Sequence, residues 1–411
     1  MNEQTITSRF RAHDCVRNTS AQNKRYIVPH ILAARSPRDS DFIPGNILQE
    51  PQTHWNGYQW KNDSGDLVYE NFTLEAEGQW GSNLFANDPD KPKRPGKYIW
   101  RNGYIGPQMD PFNAGMLWGA REWNVPHREL IDCDFFAIPR EHGMYSSLYE
   151  GSVVDRCTFI RMGSQGIQFV HRTIGEPPYS PTGGNRPYEA KPLHILRDSH
   201  FIDCAQGGSR PSYNATYFNP GSPEFPGTLT VENCSFVADW VEPVGYFKSR
   251  STGALVVTPM QGNGALSSNF MDLVEVKNTL FDFTAGDRSI ANIRSTDTVV
   301  FEDCTFIARD HDRATVDIDN PNGYMGDTKT RRVILRNCIA VGDARLRVFK
   351  PEAADYRDST AHDLNTRGME VVIDGESGSV ISSRKIPFED PAEQKLLAER
   401  IAAARRTYFG D

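Results

Sequence analysis

No run of eighteen apolar residues occurs in the 411-residue chain, so no membrane-spanning helix is expected. The opening MNEQTITSRFRAHDC is polar and lacks the apolar stretch of a secretory leader. The five Asn-x-Ser/Thr sites, at Asn18, Asn62, Asn71, Asn214 and Asn233, therefore carry no expectation of glycosylation. Positive charge is in deficit: 45 Lys and Arg stand against 53 Asp and Glu, a formal net charge of −8. That balance excludes nucleic-acid and anionic-membrane binders driven by phosphate contacts. None of the seven cysteines falls in a C-x-x-C pair, and their number is odd. A disulfide framework and a zinc site both fit poorly. Hydrophobic residues make up only 38 %, yet Trp, Tyr and Phe together number 44. Such a chain is too aromatic for disorder and suits an elongated fold with a thin core.

The cysteines belong to a repeat. The segments LIDCDFF (130–136), VDRCTFI (154–160), VENCSFV (231–237), FEDCTFI (301–307) and LRNCIAV (335–341) align, and LRDSHFI (196–202) and VKNTLFD (276–282) join them. One column then reads Cys133, Cys157, Ser199, Cys234, Thr279, Cys304 and Cys338, all small. Three positions earlier every residue is apolar: Leu130, Val154, Leu196, Val231, Val276, Phe301 and Leu335. Two positions later stand Phe135, Phe159, Phe201, Phe236, Phe281 and Phe306, with Ala340 the exception. Just before the small residue come Asp132, Asp198, Asn233, Asn278, Asp303 and Asn337, with Arg156 departing.

Apolar residues alternating with polar ones over so short a span predict a half-buried strand. Asn and Asp tolerate the left-handed backbone conformation, so their column predicts a corner. A fixed register predicts units that stack and put like residues in ladders. In such a ladder the cysteines are small hydrophobes rather than redox or metal groups. Successive units lie 24, 42, 35, 45, 25 and 34 residues apart. The shortest steps fit one turn of a three-sided coil, and the longer ones the same coil with a loop extruded. YENFTL (69–74) and WRNGYI (100–105) are weaker copies, and VIDG (372–375) is a candidate last one.

This pattern resembles the right-handed parallel β-helix proteins of the pectate-lyase-like superfamily. The resemblance runs from about residue 65 to 380 and implies an all-β solenoid of nine or ten coils. The expected divisions are an N-terminal arm and cap (1–64), the β-helix (65–383) and a C-terminal amphipathic helix (384–411). The superfamily includes polysaccharide lyases, glycoside hydrolases, epimerases and non-catalytic phage tail and capsid-surface proteins, so the fold alone does not select a function.

At the C-terminal end, Asp390-Pro391-Ala392-Glu393 supplies an N-cap, a first-turn proline and a capping-box acid. Leu397, Ile401, Ala404 and Tyr408 then recur at helical spacing. Such a helix suits a lid on the last coil or a docking element for a neighbouring protein. Residues 1–50 are irregular and carry scattered Arg and Lys, as in a cap or an arm crossing to another subunit. Six of the seven tryptophans lie between Trp55 and Trp123, which suits aromatic plugging of the first coils, a sugar-stacking platform or an interface.

Sites in this superfamily usually lie on the outer side of one sheet beneath long loops. Two stretches match that placement here, 141–145 and 165–168. With Met144 and Ile167 inward, Tyr145 and Gln168 face out, His142 lies near Gln165, and Arg172 follows at the edge. These five residues form the candidate glycan-binding patch under loop 173–192. Glu141 or His142 is the candidate catalytic base and Tyr145 the candidate acid. No cofactor is expected. Calcium is the one ion considered, with Asp310 and Asp312 as candidate ligands, although their spacing fits a solvated acidic turn better. Enzyme signatures of the superfamily do not carry over. The W-x-D-H and R-x-P-x-x-R stretches of pectate-type lyases are absent, as is the D-P-H-E of epimerases. Of the ordered polygalacturonase motifs only His142-Gly143 remains.

The reading favoured is a non-catalytic virion-type protein: a capsid-decoration, tail or receptor-binding component with glycan binding on its flank. The alternative is a lyase or hydrolase acting on an acidic polysaccharide. Expected partners are other subunits of a large assembly and a polysaccharide, with no nucleic acid and no membrane. The resemblance to phage attachment proteins implies a homotrimer. The expected location is a virion surface or tail, or otherwise the cytoplasm.

Overall fold

The computed structural model describes residues 53–61, 66–76, 97–108, 120–138, 142–162, 165–170, 191–202, 204, 214–218, 225–237, 253–257, 270–283, 290–308, 315–319, 330–341, 344–349, 359–363, 371–374 and 379–382. Every regular element among these is a β-strand. Most pair in parallel, in three ladders. The first stacks segments 98–101, 128–131, 151–155, 193–197, 227–232, 271–277, 296–302 and 332–336. The second stacks 104–105, 134–138, 158–162, 200–202, 235–237, 280–283, 305–308 and 339–341. The third runs from 120–122 through 144–147, 167–170, 214–218, 253–257, 291–293 and 315–318 to 345–349. The chain visits the ladders in rotation, an all-β arrangement compatible with a parallel β-helix. The expected C-terminal helix and residues 1–52 lie outside the described residues.

The turn from first to second ladder follows the repeat. Asp132, Arg156, Asp198, Asn233, Asn278, Asp303 and Asn337 all have φ between 42° and 55°, and Asn102 of the weaker copy has φ 49°. Their side chains join across rungs. Asn233 Nδ2 donates to Asp198 Oδ1 at 3.2 Å, and Asn278 Nδ2 to Asn233 Oδ1 at 2.8 Å. Asn337 repeats the contact with Asp303.

The small residue that follows is more than small. Ser199 Oγ and Thr279 Oγ1 donate to the carbonyls of Arg197 and Lys277 at 2.7 and 2.8 Å. The Cys234 thiol reaches Glu232 O at 3.2 Å and Leu196 O, one rung back, at 3.5 Å. Cys157, Cys304 and Cys338 repeat both contacts. The carbonyls of Arg197, Glu232 and Lys277 each also accept the backbone N–H of the preceding rung's corner residue, as Glu232 O does from Asp198 N at 3.0 Å, so the short X–H side chain adds a second donor at the turn. All six described cysteines are buried thiols outside any disulfide, including Cys204, which stands outside the column.

The core is a stack of rings. Phe135, Phe159, Phe201, Phe236, Phe281 and Phe306 lie 4.5–5.2 Å apart between neighbouring centroids, with interplanar angles of 12° or less. Trp100 extends the stack beyond Phe135 at 6.5 Å, so this tryptophan does plug an early coil; the other five of the cluster have no described side chains. Toward this end the interior becomes polar. Arg128 lies fully buried 4.9 Å over the Trp100 ring, and Ser152 bonds His194 Nδ1 at 2.8 Å.

The outer face of the first ladder carries a charge sequence. Asp155, Arg197, Glu232, Lys277, Glu302 and Arg336 occupy one in-register column and alternate in sign. In-register stacking brings equivalent positions within a strand spacing, so alternation turns a row of repulsions into attractions. Arg197 and Asp155 meet at 2.9 Å.

Both ends of the stack differ from the rest. Thr53–Lys61 pairs antiparallel with Leu67–Ala76, and Ser359–Asp363 antiparallel with Arg345–Phe349. Val371–Asp374, expected as a further parallel copy, instead runs antiparallel along Arg332–Arg336, and Ser379–Ser382 pairs antiparallel with it in turn. Reversed strands occupy hydrogen-bonding edges that would otherwise recruit more chains.

Candidate functional site

The third ladder positions the candidate patch. The turn into it passes through Gly143 and Gly166, where a Cβ would stand 2.6 Å from Gly166 O and 2.7 Å from the Phe201 ring respectively. Only glycine lets the backbone lie this close to the phenylalanine stack. Gly143 N donates to Gln165 O at 3.0 Å, and Met144 N to Gly166 O at 2.9 Å. Met144 pairs with Ile167 and both are fully buried, as their inward assignment requires.

The alternate positions make a second column. Register places Arg121, Tyr145, Gln168, Tyr217, Val256, Asn292, Asp317 and Arg347 side by side on successive rungs. At one strand spacing of about 4.8 Å per rung, the column is on the order of 35 Å long. Sequence reasoning paired Tyr145 with Gln168 but missed Arg121 and Tyr217. Their strands carry no copy of the Cys–Phe motif, and long insertions precede them.

The patch side chains that are described are sheltered. His142, Gln165 and Gln168 retain 5 %, 7 % and 6 % exposure. Polar side chains on the outer face of an open sheet would be far wetter. Glu141, Arg172 and most of loop 173–192 lie outside the described residues, as do Asp310 and Asp312. Among the described residues no group of three or more His, Cys, Asp and Glu could hold a metal ion.

Two carboxylates near the far end of the column have defined partners. Asp317 is completely buried and grips Arg347 through two parallel hydrogen bonds, Nε to Oδ1 at 2.8 Å and Nη2 to Oδ2 at 2.9 Å. Asp319, in the left-handed conformation at φ 57°, accepts from Ser295 N, Thr330 N and Thr330 Oγ1 at 3.0–3.2 Å. Burial raises its pKa to about 6 despite these donors. Both carboxylates are thus engaged in holding neighbouring strands.

Comparison with known proteins found no matching family model, no matching curated protein and no matching solved structure.

Proposed function

We propose that the chain is a right-handed parallel β-helix of the pectate-lyase-like kind. In this reading it is a non-catalytic attachment or decoration component of a virion-type assembly, built as a homotrimer and gripping a polysaccharide along its third ladder. The observation that carries the glycan part is the in-register column Tyr145–Gln168–Tyr217, with His142 and Gln165 sheltered at its edge. Amides and phenols at strand spacing suit sugar hydroxyls, and aromatic rings suit the apolar face of a pyranose. The structural part rests on the missing enzyme signatures and on the engagement of Asp317 with Arg347, which leaves that acid committed to strand pairing.

The test is a panel of acidic polysaccharides titrated onto the full chain, with Gln168→Ala and Tyr217→Ala beside it. Saturable binding weakened several-fold by either substitution, with the glycan recovered intact, is the expected result. Unsaturated products or new reducing ends would favour the lyase or hydrolase reading instead. No binding across the panel would remove the glycan part.

A further inference from the structure

The outer faces of the three ladders differ in how open they are. On the second, the outward residues Ile160, Ile202, Val237 and Asp282 are all buried. On the third, Gln168, Val256 and Asp317 are buried too. The first ladder is open over the rungs 151–155, 193–197, 227–232 and 271–277. Val153, Ile195 and Thr230 are half-buried there, and Arg197 and Glu232 are exposed. Among the described residues Leu193 is the one large hydrophobic side chain that stands exposed, at 46 %. It shares an outward face with Ile195, which pairs with Val153 on the next rung, so its exposure belongs to an apolar patch.

The charge column Asp155, Arg197, Glu232 and Lys277 borders this patch and alternates in sign. An alternating column is complementary to itself in one arrangement. Two copies must lie face to face with their stacking directions opposed, about a twofold axis that runs along the strands and passes between two rungs. Each charge then meets one of opposite sign. An axis through a rung would set every charge against its own kind. An axis along the stack would set the charges against the uncharged column Gly151, Leu193, Thr228 and Leu273. Leu193 selects the centre. With the axis between rungs 193–197 and 227–232, the two copies of Leu193 are diagonal neighbours, offset by one strand spacing of about 4.8 Å along the stack.

We propose that this flank binds a second copy of the chain through a twofold contact centred between rungs 193–197 and 227–232. Arg197 of each copy meets the partner's Glu232, so the pair forms twice, and Asp155 stands opposite the partner's Lys277. Leu193 lies over the partner's Thr228 and Ile195 over the partner's Thr230, which places the apolar groups at the centre and charge along one side. Strands of the two copies run in the same direction, as aligned sheet packing requires. Four rungs by seven residues make a face of about 20 by 23 Å. That is small for a permanent dimer, so the contact is weak and sensitive to salt. It is separate from the threefold assembly proposed above: where both operate it pairs two trimers, and it does not depend on what the third ladder binds.

Sedimentation velocity of the full chain, over a range of protein concentrations in low and high salt, tests this. The particle mass should double with concentration in low salt, and high salt should weaken the doubling several-fold. Leu193→Asp should abolish it. Arg197→Glu and Glu232→Arg should each abolish it singly, because each sets like charges together, and the two combined should restore it. The combined variant separates the two roles of the column. Within the chain it leaves Asp155 beside an acid and Lys277 beside a base, so pairing along the stack worsens while the contact between copies returns. Native circular dichroism is required of each variant, and the salt response of the unmodified chain needs no substitution. A mass that never doubles would overturn the proposal and leave the flank to a partner of another kind. Doubling that persists in Leu193→Asp, or a combined variant no better than the single ones, would overturn it as well.

Discussion

Arg156 reaches back one rung to Asp132, with Nε and Nη2 donating to the two carboxylate oxygens at 3.0 and 3.1 Å. Arg156 is the one member of the corner column from Asp132 to Asn337 that is neither Asn nor Asp, and it takes the same left-handed backbone, φ 52°. The ion pair, together with a 2.7 Å contact to Asp155, holds an unfavourable conformation in place. Arg156→Asn trades the ion pair for a residue that accepts the conformation, so its net effect should be within about 1 kcal/mol. Arg156→Ala loses both and should be the less stable of the two. Urea midpoints decide the order, and an alanine variant at least as stable as the asparagine one would contradict it.

The ring stack supports a larger effect. Phe159 lies between Phe135 and Phe201 at 4.5 and 4.7 Å with no exposed surface. Phe159→Ala should cost on the order of 3–5 kcal/mol through lost burial and an unfilled cavity. An unchanged melting point would mean that this column is not the core.

Gly151 bends the strand Met144–Asp155 at the turn from third to first ladder. Its φ is 127°, and a Cβ there would stand 1.9 Å from Leu193 O. Gly151→Ala therefore meets both strain and backbone overlap, and should yield little soluble folded protein. Expression with native circular dichroism would show that the two rungs separate more easily than their contact implies.

Two buried groups should shape the pH dependence of stability with opposite signs. Burial holds the His194 pKa down at about 3, against an ordinary 6.5. The unfolded chain takes up that proton first, so His194 removes stability as pH falls from 6.5 toward 3. Asp319 is raised from 3.8 to about 6, so the folded chain keeps the proton longer and stability falls as pH rises through that range. His194→Gln should flatten the loss on acidification and Asp319→Asn the loss on raising pH. Unfolding free energy measured from pH 3 to 7 checks both, and variants parallel to the parent would contradict both assignments.

The thiols should be inert. The Cys234 pKa is pushed up to about 12 by burial, which suppresses the reactive thiolate. At most one of the seven cysteines should react with a thiol reagent in the native chain, because six are described as buried. Cys234→Ser should be tolerated better than Cys234→Ala, since serine keeps a donor for Glu232 O.

What was readable in the sequence follows from which constraints are local. The corner column could be read because few residues accept a left-handed φ, and the phenylalanine column because identical rings stack. The donor role of Cys, Ser and Thr was visible only as small size, since the carbonyl each one joins is brought within reach by the bend of the corner and by stacking, not by a motif. Strand direction was not readable for Val371–Asp374, because an alternating apolar pattern is the same read parallel or antiparallel. Arg121 and Tyr217 escaped because insertions of varying length precede the third ladder, and register there comes from stacking rather than from a motif. Glu141, Arg172, Asp310 and Asp312 fall outside the described residues, so their proposed roles stand as sequence expectations.

The most direct test of the parallel, in-register stack is a cysteine pair placed across two rungs. Thr230 and Glu275 are Cα partners on the outer face of the first ladder although 45 residues apart in sequence. Parallel neighbours at about 4.8 Å fall within the Cα range a disulfide spans. Thr230→Cys with Glu275→Cys should therefore oxidise to an intramolecular disulfide. Thr230→Cys with Val300→Cys, two rungs apart, should remain reduced. Equal cross-linking of both pairs, or none in the first, would contradict the register on which the whole account rests.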